Sequence, residues 1–551
     1  MAFRRALVPF VLAVLVALVY WPGLYGFWGR DDFMQLAFAR LVGSPWPLFV
    51  HDHYFPVPGS IFRPLGFASF WLWQALFGTD YFANAFGDML LHIAVSFALF
   101  RVIRASGLES IASLLCALVF ALHPAVLSTA LWWSARFDLL AALFAFVALR
   151  AALDYAQAPR TGTLIVALSS LLAALLSKET ALAAVVAIAL TWLRRTRAGS
   201  PHRRDAIRAL IALAVVVALF FAWRWLVLGT AGSGLAGGTP LVSAIGRGFV
   251  DWFTHLAGYL SFWPRLGFGS RASVVLAALI FVACIAVAVR GRGADPKHSR
   301  EIDLLYCGLC LFVLPALLQA PVAALNAAPL GADMSAVEAA MQSRLYYLSF
   351  GGFAILLSLL VRRVLLASEA LGWPIIMMLV VTVAVFGATA RRTAVDYAAR
   401  TAASRPLAES AVAAVDALTL PADHCHVVVL GVDPPAEWSI YVSMDAVVKA
   451  LTKNPRDVDR CFIHSGQVTY FNLMGRDVTR ADAWPYGSRE SGGAPLAWLE
   501  VGDALVAYLD PPPQQLGPDR LRRMRFVRFE QGTFRDVTED VVAGRIPIKL
   551  R

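Results

Sequence analysis

About eleven stretches of this 551-residue chain are apolar over roughly the length that a bilayer-crossing helix needs, some only when their flanks are included. They run Ala6 to Leu24, Asn84 to Ile103, Ser110 to Leu122, Leu139 to Ala152, Thr163 to Leu176, Thr180 to Leu193, Ile207 to Leu228, Ala272 to Val289, Leu304 to Gln319, Leu345 to Val361 and Trp373 to Ala390. Lipid offers the backbone no hydrogen-bond partners, so such runs must close their own bonds as helices. The expected fold is therefore a polytopic α-helical membrane protein with about eleven transmembrane helices. With 59% hydrophobic and 15% charged residues, the chain is neither an ordinary soluble domain nor a disordered one. The first run follows Arg4 and Arg5 like a signal peptide, but Trp21-Pro-Gly-Leu-Tyr has no small-x-small cleavage site, so it reads as a retained anchor.

The formal charge of +11 would fit a nucleic-acid binder if the basic residues formed one stripe, and they do not. With the N-terminus inside, six inner segments (the chain start, Arg101 to Glu109, Arg150 to Arg160, Arg194 to Arg208, Arg290 to Asp303 and Arg362 to Glu369) hold 18 basic and 7 acidic residues. The rest of residues 1–390 holds 10 of each, and residues from Arg391 onward hold 20 of each. The whole excess therefore sits where the positive-inside rule puts it. The expected topology is a cytoplasmic N-terminus and, after an odd number of spans, an extracytoplasmic C-terminus, with no nucleic-acid partner.

Two segments read as helices lying at the outer interface, Arg63 to Phe77 and the aromatic-rich Asp251 to Trp263. The expected domains are a membrane domain over 1–390, an Ala-rich helical linker over 391–420 and a small soluble α/β or α+β domain over 421–551. In the last, His426-Val-Val-Val-Leu, Ala497 to Leu509 and Arg525 to Phe529 are strand-like, and Glu437 to Lys453 is amphipathic. Its two cysteines, Cys425 and Cys461, are disulfide candidates in an oxidising compartment, with two free buried thiols as the alternative. Cys307 and Cys310 form a CxxC inside an apolar run and read as packing. There is no metal-ligand spacing, P-loop or long repeat.

Ionisable groups near a membrane are costly and are candidates for function. Here they gather at the outer ends of the spans: Asp31-Asp32, Arg63, His123, Arg136 with Asp138, Lys178-Glu179, and Arg344 with Tyr346-Tyr347. Any one of them reads equally well as a structural ion pair. Together, adjacent carboxylates with several separate cations suit a site that binds a phosphate and deprotonates a hydroxyl.

In their order, Asp31-Asp32, Phe62-Arg63-Pro64-Leu65, Phe120-Ala-Leu-His123-Pro124, Trp133-x-x-Arg136-x-Asp138, Leu176-Ser177-Lys178-Glu179 and Arg344-x-Tyr346-Tyr347 resemble the membrane glycosyltransferases of the GT-C class. The resemblance is to the protein O-mannosyltransferase-like branch that includes the transmembrane, tetratricopeptide-repeat-containing mannosyltransferases. It covers about residues 1–390. No tetratricopeptide array follows, and the last motif reads Arg-Leu-Tyr-Tyr where that branch usually has Arg-Tyr-Leu-Tyr. The resemblance implies an inverting glycosyltransferase using a polyprenyl-monophosphate sugar on the extracytoplasmic face; its departures leave the acceptor outside what it implies, and the expected acceptor is a hydroxyl on protein, lipid or glycan, with the chain in a bacterial inner membrane. It makes Asp31 the favoured general base, with Asp32 beside it. Arg344, Lys178, Arg63 and Tyr347 are the expected contacts of the donor phosphate. Glu179, Arg136, Asp138 and His123 are expected near the sugar or supporting the site, Asp138 as a partner of Arg136. His123 and the Trp132-Trp133 pair read first as packing. No cofactor is required, and a divalent ion held by Asp31 or Asp32 stays open. Alternatives of other classes are a glycan polymerase or ligase using diphosphate-linked lipid, a transporter of lipid-linked glycans, and a tail domain that the spans merely anchor.

Overall fold

The computed structural model describes residues 2–29, 31–50, 61–197, 200–229, 296–326, 344–421, 425–431, 444–465, 498–507 and 518–550. The expected span Ala272 to Val289 and the expected interface helix Asp251 to Trp263 lie outside the described residues.

The chain is a predominantly helical membrane protein. Among the described residues seven helices are long and apolar enough to cross a membrane, or eight if one bent pair counts as a single span. Helix α1 (Ala2–Tyr20) runs on as a 3-10 turn to Tyr25; α2 (Asp31–Leu41) and α3 (Pro64–Phe77) follow; then come α4 (Tyr81–Ile103), α5 (Ser110–Ala121) and α6 (Leu127–Leu131). Next are α7 (Arg136–Gln157), α8 (Thr161–Ser177), α9 (Leu182–Arg194), α10 (Arg203–Leu228), α11 (Pro296–Asn326), α12 (Tyr347–Ala367) and α13 (Gly372–Ala403).

The expected count of eleven is not reached among the described residues. At 1.5 Å per residue, α8 with 17 residues covers ~26 Å and α9 with 13 covers ~20 Å, both short of the ~30 Å hydrocarbon core. Helix α5 ends at Ala121, and the helical segment that resumes at Pro124 is turned by 55°. Proline removes a backbone donor and disfavours helix in the residue before it, and His123 is accordingly extended, at φ −63° and ψ 129°. Helix α13 does not stop at residue 390 but carries on through the Ala-rich segment to Ala403, followed after Ser404 by α14 (Arg405–Asp416). Of the segment expected as a helical linker, residues 391–403 continue the last membrane helix and Arg405–Asp416 form a helix of their own.

The C-terminal part forms a four-stranded sheet in the order β2-β1-β5-β6, from β1 (Cys425–Leu430), β2 (Cys461–Ser465), β5 (Met524–Glu530) and β6 (Thr533–Asp536). Strand β1 pairs in parallel with β2 and β5, while β5 and β6 are antiparallel. A second, antiparallel sheet joins β3 (Trp498–Val501), β4 (Ala504–Ala507) and β7 (Ile548–Leu550). All six residues of β1 are buried, as expected of a central parallel strand. Val428 and Leu430 face a core with Leu499, Val506 and Phe526, while Val427 and Val429 join the same core as the membrane bundle.

That junction runs through α15 (Met444–Leu451), which packs on α2. Arg40 of α2 donates to the Ala450 carbonyl at 2.6 Å, and the Phe534 amide donates to Ser410 of α14 at 3.2 Å.

Cys425 and Cys461 lie opposite each other in the β1–β2 register and are disulfide-bonded across a separation of 36 residues. In the chain-entropy view, closing such a loop stabilises by about 4 kcal/mol. Cys461→Ser should abolish the reduction-dependent mobility shift on non-reducing gels and lower the unfolding temperature; an unchanged gel shift would show that another pair carries the bond.

Candidate active site

Residues Trp132–Asp138, the 3-10 turn Trp133–Ala135 and the start of α7, contact Asp32, Arg63, Lys178 and Arg344 among the groups singled out in the sequence. Gly66 of α3 lies against this segment with no room for a side chain: a Cβ there would sit 2.2 Å from Phe137.

The acidic pair opens α2, where a helix N-terminus favours negative charge. Its members differ. Asp32 is fully buried; one carboxylate oxygen accepts from the Ser134 amide and hydroxyl, each at 2.8 Å, and the other accepts from the Gly29 amide at 3.2 Å. Burial pushes the Asp32 carboxyl up to about 8, against the pull of those hydrogen bonds, and the neighbouring Asp31 charge adds to the rise. Asp31 is half-buried, at the more accessible side of the same turn. Asp32 is therefore the clamp that fixes α2 onto Ser134, and Asp31 is the member a ligand reaches more readily.

Arg344 comes to this wall from far along the chain. Its guanidinium lies 4.1 Å from the centre of the Trp132 ring, and the Trp132 indole N–H donates to the Gly29 carbonyl at 3.3 Å. Gly29 thus bonds Asp32 through its N–H and Trp132 through its C=O, which puts Arg344 one indole away from the acidic pair. From sequence, Trp132 reads first as packing, with nothing to link it to Arg344.

Lys178 and Arg63 each hold a carboxylate. Lys178 donates to both oxygens of Asp138 at 2.7 Å, with both side chains nearly inaccessible. Burial pulls the Lys178 ammonium below its ordinary value, opposed by Asp138. Arg63 forms a two-pronged pair with Glu179, at 3.0 and 2.5 Å, and lies over the Phe137 ring. Loss of hydration raises the Glu179 carboxyl, but the Arg63 guanidinium outweighs it and holds it at about 2. With 37% of the Glu179 side chain exposed, solvent screens this pair, which acts as a tether more than a source of stability. Arg224 of α10 is buried within electrostatic range of both Glu179 and Arg63, and went unremarked in the sequence.

Arg136 does not pair with Asp138 as expected. Two residues apart on a helix, they point to different sides. Arg136 bonds Asp88 of α4 at 2.7 Å, with both side chains fully buried, and is enclosed by the rings of Phe70, Trp73 and Trp133 at 4.9–5.3 Å. Asp88 and His92 were missed in the sequence, although ionisable residues inside the run Asn84 to Ile103 carried the signal. His92 Nε2 is 2.9 Å from the Ala121 carbonyl and Nδ1 is 2.7 Å from the Tyr347 hydroxyl. A carbonyl only accepts, so Nε2 carries the hydrogen and Nδ1 accepts from Tyr347. Tyr347 is thus a buried strut between α12 and α4. His123 is likewise structural: it is buried, its Nδ1 accepts from the Ala125 amide at 3.1 Å, and its ring lies 4.6 Å from both Phe350 and Phe386. Among the described residues no three His, Cys, Asp or Glu side chains gather as metal ligands would.

No protein-family model matches the chain, and no curated protein matches it. Among solved structures, it is similar to the Archaeoglobus fulgidus oligosaccharyltransferase in complex with zinc and sulfate, at TM-score 0.49 and 13% identity over 83% of this chain and 62% of that one. It is also similar to oligosaccharyltransferase AglB of Archaeoglobus fulgidus with an inhibitory peptide and a dolichol-phosphate, at TM-score 0.43 and 12% identity over 82% and 65%. A third likeness is to ArnT of Cupriavidus metallidurans bound to undecaprenyl phosphate, at TM-score 0.38 and 15% identity over 93% and 100%. The chain thus spans less than two thirds of the length of the two oligosaccharyltransferase structures. Likeness at this level assigns neither activity nor ligand.

Proposed function

We propose that the chain is an inverting membrane glycosyltransferase of the GT-C type that moves a sugar from a polyprenyl-monophosphate donor to a hydroxyl acceptor at the extracytoplasmic face. The observation that supports it is the Gly29–Trp132 link, which brings the acidic pair at the start of α2 and Arg344 before α12 to one wall. The order of sequence motifs resembling that class supports it independently.

In this reading Asp31 takes the proton of the acceptor hydroxyl as its oxygen attacks the anomeric carbon. The bond from that carbon to the donor phosphate oxygen breaks on the opposite face, and the lipid phosphate leaves with the electron pair. A positioned base contributes about 10²–10⁴-fold. The charge growing on the phosphate needs a fixed cation in a dry site, and Arg344 offers a planar fork that fits phosphate oxygens. Lys178 and Arg63, already paired with Asp138 and Glu179, add positive potential and hold the wall in shape. Asp32 and Ser134 set the angle of α2.

The test is sugar transfer by the purified protein from a polyprenyl-monophosphate sugar, with and without chelator, and from a diphosphate-linked oligosaccharide. Transfer from the monophosphate donor is expected, and Arg344→Ala should reduce it by about 10²–10³-fold, the scale of losing one charge-stabilising donor. Turnover only with the diphosphate donor would favour a polymerase or ligase. Lipid movement without bond formation would favour a transporter.

A further inference from the structure

At the opposite end of the bundle the basic residues of the inner segments come together with partners of their own. Arg194 and Arg195 both bond Asp303 at 2.6 Å, and Arg362 and Arg363 both bond Glu301. Beside them lies a pocket between the ends of α4, α7 and α11, lined by Arg104, Arg150, Asp154, Gln157, Arg300 and Leu304 among others. From Arg136 to Gln157 α7 rises ~31 Å, so this pocket lies about a hydrocarbon core away from the candidate active site.

Its chemistry is lopsided toward anion binding. Three arginines face one carboxylate. Arg150 is fixed by Asp154 at 2.8 and 3.0 Å and by the Arg101 carbonyl at 3.0 Å, so its guanidinium is held in place. Arg104 is fixed on the Leu108 carbonyl, and Arg300 is exposed at the rim. The second observation is Gln157: its Nε2 amide is buried and has no hydrogen-bond partner among the described residues, a costly arrangement for a donor. A residual charge of two, a buried amide donor and apolar neighbours in Leu153 and Leu304 fit a phosphate ester attached to something apolar.

We propose that this pocket binds the phosphate of an anionic phospholipid headgroup, with Gln157 Nε2 and the three arginines as donors. Its place at the ends of membrane-crossing helices sets the headgroup at the lipid–water boundary, where basic pockets between such helices take acidic lipids. The proposal is independent of the reading of the opposite end as a glycosyltransferase site.

The experiment is native mass spectrometry of the full chain in a neutral detergent with dioleoyl phosphatidylglycerol, dioleoyl phosphatidylcholine or inorganic phosphate added. One phosphatidylglycerol is expected to be retained in preference to phosphatidylcholine. The double variant R104Q/R300Q should weaken it about 30-fold, since each basic residue near a surface contributes about fivefold. Gln157→Leu, which leaves every charge in place, should weaken it about tenfold or more, the scale of a hydrogen bond to a charged group. Arg208→Gln removes a solvent-facing arginine of the same end and should change nothing. Equal retention by wild type, R104Q/R300Q and Gln157→Leu overturns the proposal, as does an Arg208→Gln loss matching that of the double variant. Displacement of the lipid by inorganic phosphate at equal concentration overturns the lipid assignment in favour of a soluble anion. If R104Q/R300Q does not fold, Gln157→Leu decides.

Discussion

Asp31→Asn is expected to lower sugar transfer by about 10²–10⁴-fold in purified protein with the Michaelis constant for the donor little changed, because a base acts in the transition state more than in binding. Asp32→Asn should differ in kind. Its carboxyl, raised to about 8 by burial, keeps its proton in the folded protein at neutral pH. A neutral Asp32 adds no like charge beside Asp31 or the departing phosphate. As pH rises through about 8 it ionises, so transfer should fall above that point in wild type and stay level in Asp32→Asn. The same group makes the folded state hold a proton that the unfolded chain releases around 3.8, so its contribution to stability declines as pH rises from about 4 to about 8. The pH profiles of transfer and of unfolding temperature check both statements. An Asp31→Asn enzyme within a few-fold of wild type would remove Asp31 as base, and an alkaline limb that persists in Asp32→Asn would remove Asp32 as its source.

Breaking the Arg136–Asp88 pair should give the largest loss of stability. Both partners are fully enclosed, and removing one leaves an uncompensated buried charge, which costs about 3–5 kcal/mol. Arg136→Met or Asp88→Leu alone should therefore unfold at much lower temperature, whereas the double replacement should recover most of the loss, since apolar groups of similar volume often replace such a pair without penalty. The aromatic cage already suits a Met side chain. Thermal unfolding followed by tryptophan fluorescence, run as a double-mutant cycle, checks this; additive losses would mean that the two residues act apart. A stable but inactive double variant would show that the pair also orients the start of α7.

How much of this could be read from the sequence depends on what each residue's neighbours reveal. The long helices were legible because their runs are predominantly apolar over the length of a span, as in Tyr81–Ile103 and Arg203–Leu228. The polar islands at their ends were legible because charge beside a membrane is conspicuous. Partnerships were not. Asp138 goes to Lys178 and Arg136 to Asp88 because α7 turns by about 100° per residue, so nearness in sequence separates their directions. Tyr347 and His123 stand in conspicuous motifs, yet Tyr347 bonds the His92 ring and His123 makes ring and backbone contacts, which depend on α4, α12 and α13 arriving beside them. The strands were visible as β-branched runs such as Val427 to Val429, but their parallel order arises from pairing across long separations that no local pattern encodes.

The seat of α15 on α2 bears on how such a protein can change by recombination. The helix that begins with Asp31 and Asp32 has its far end held by Arg40 on the Ala450 carbonyl, and its buried face belongs to the same core as Met444 and Val447. A tail exchanged for another would have to present an equivalent helix at the same place, or α2 would lose its cover and the carboxylates their bearing. The membrane part and the tail are therefore not interchangeable modules: a lineage that alters the tail is constrained to alter α2 with it.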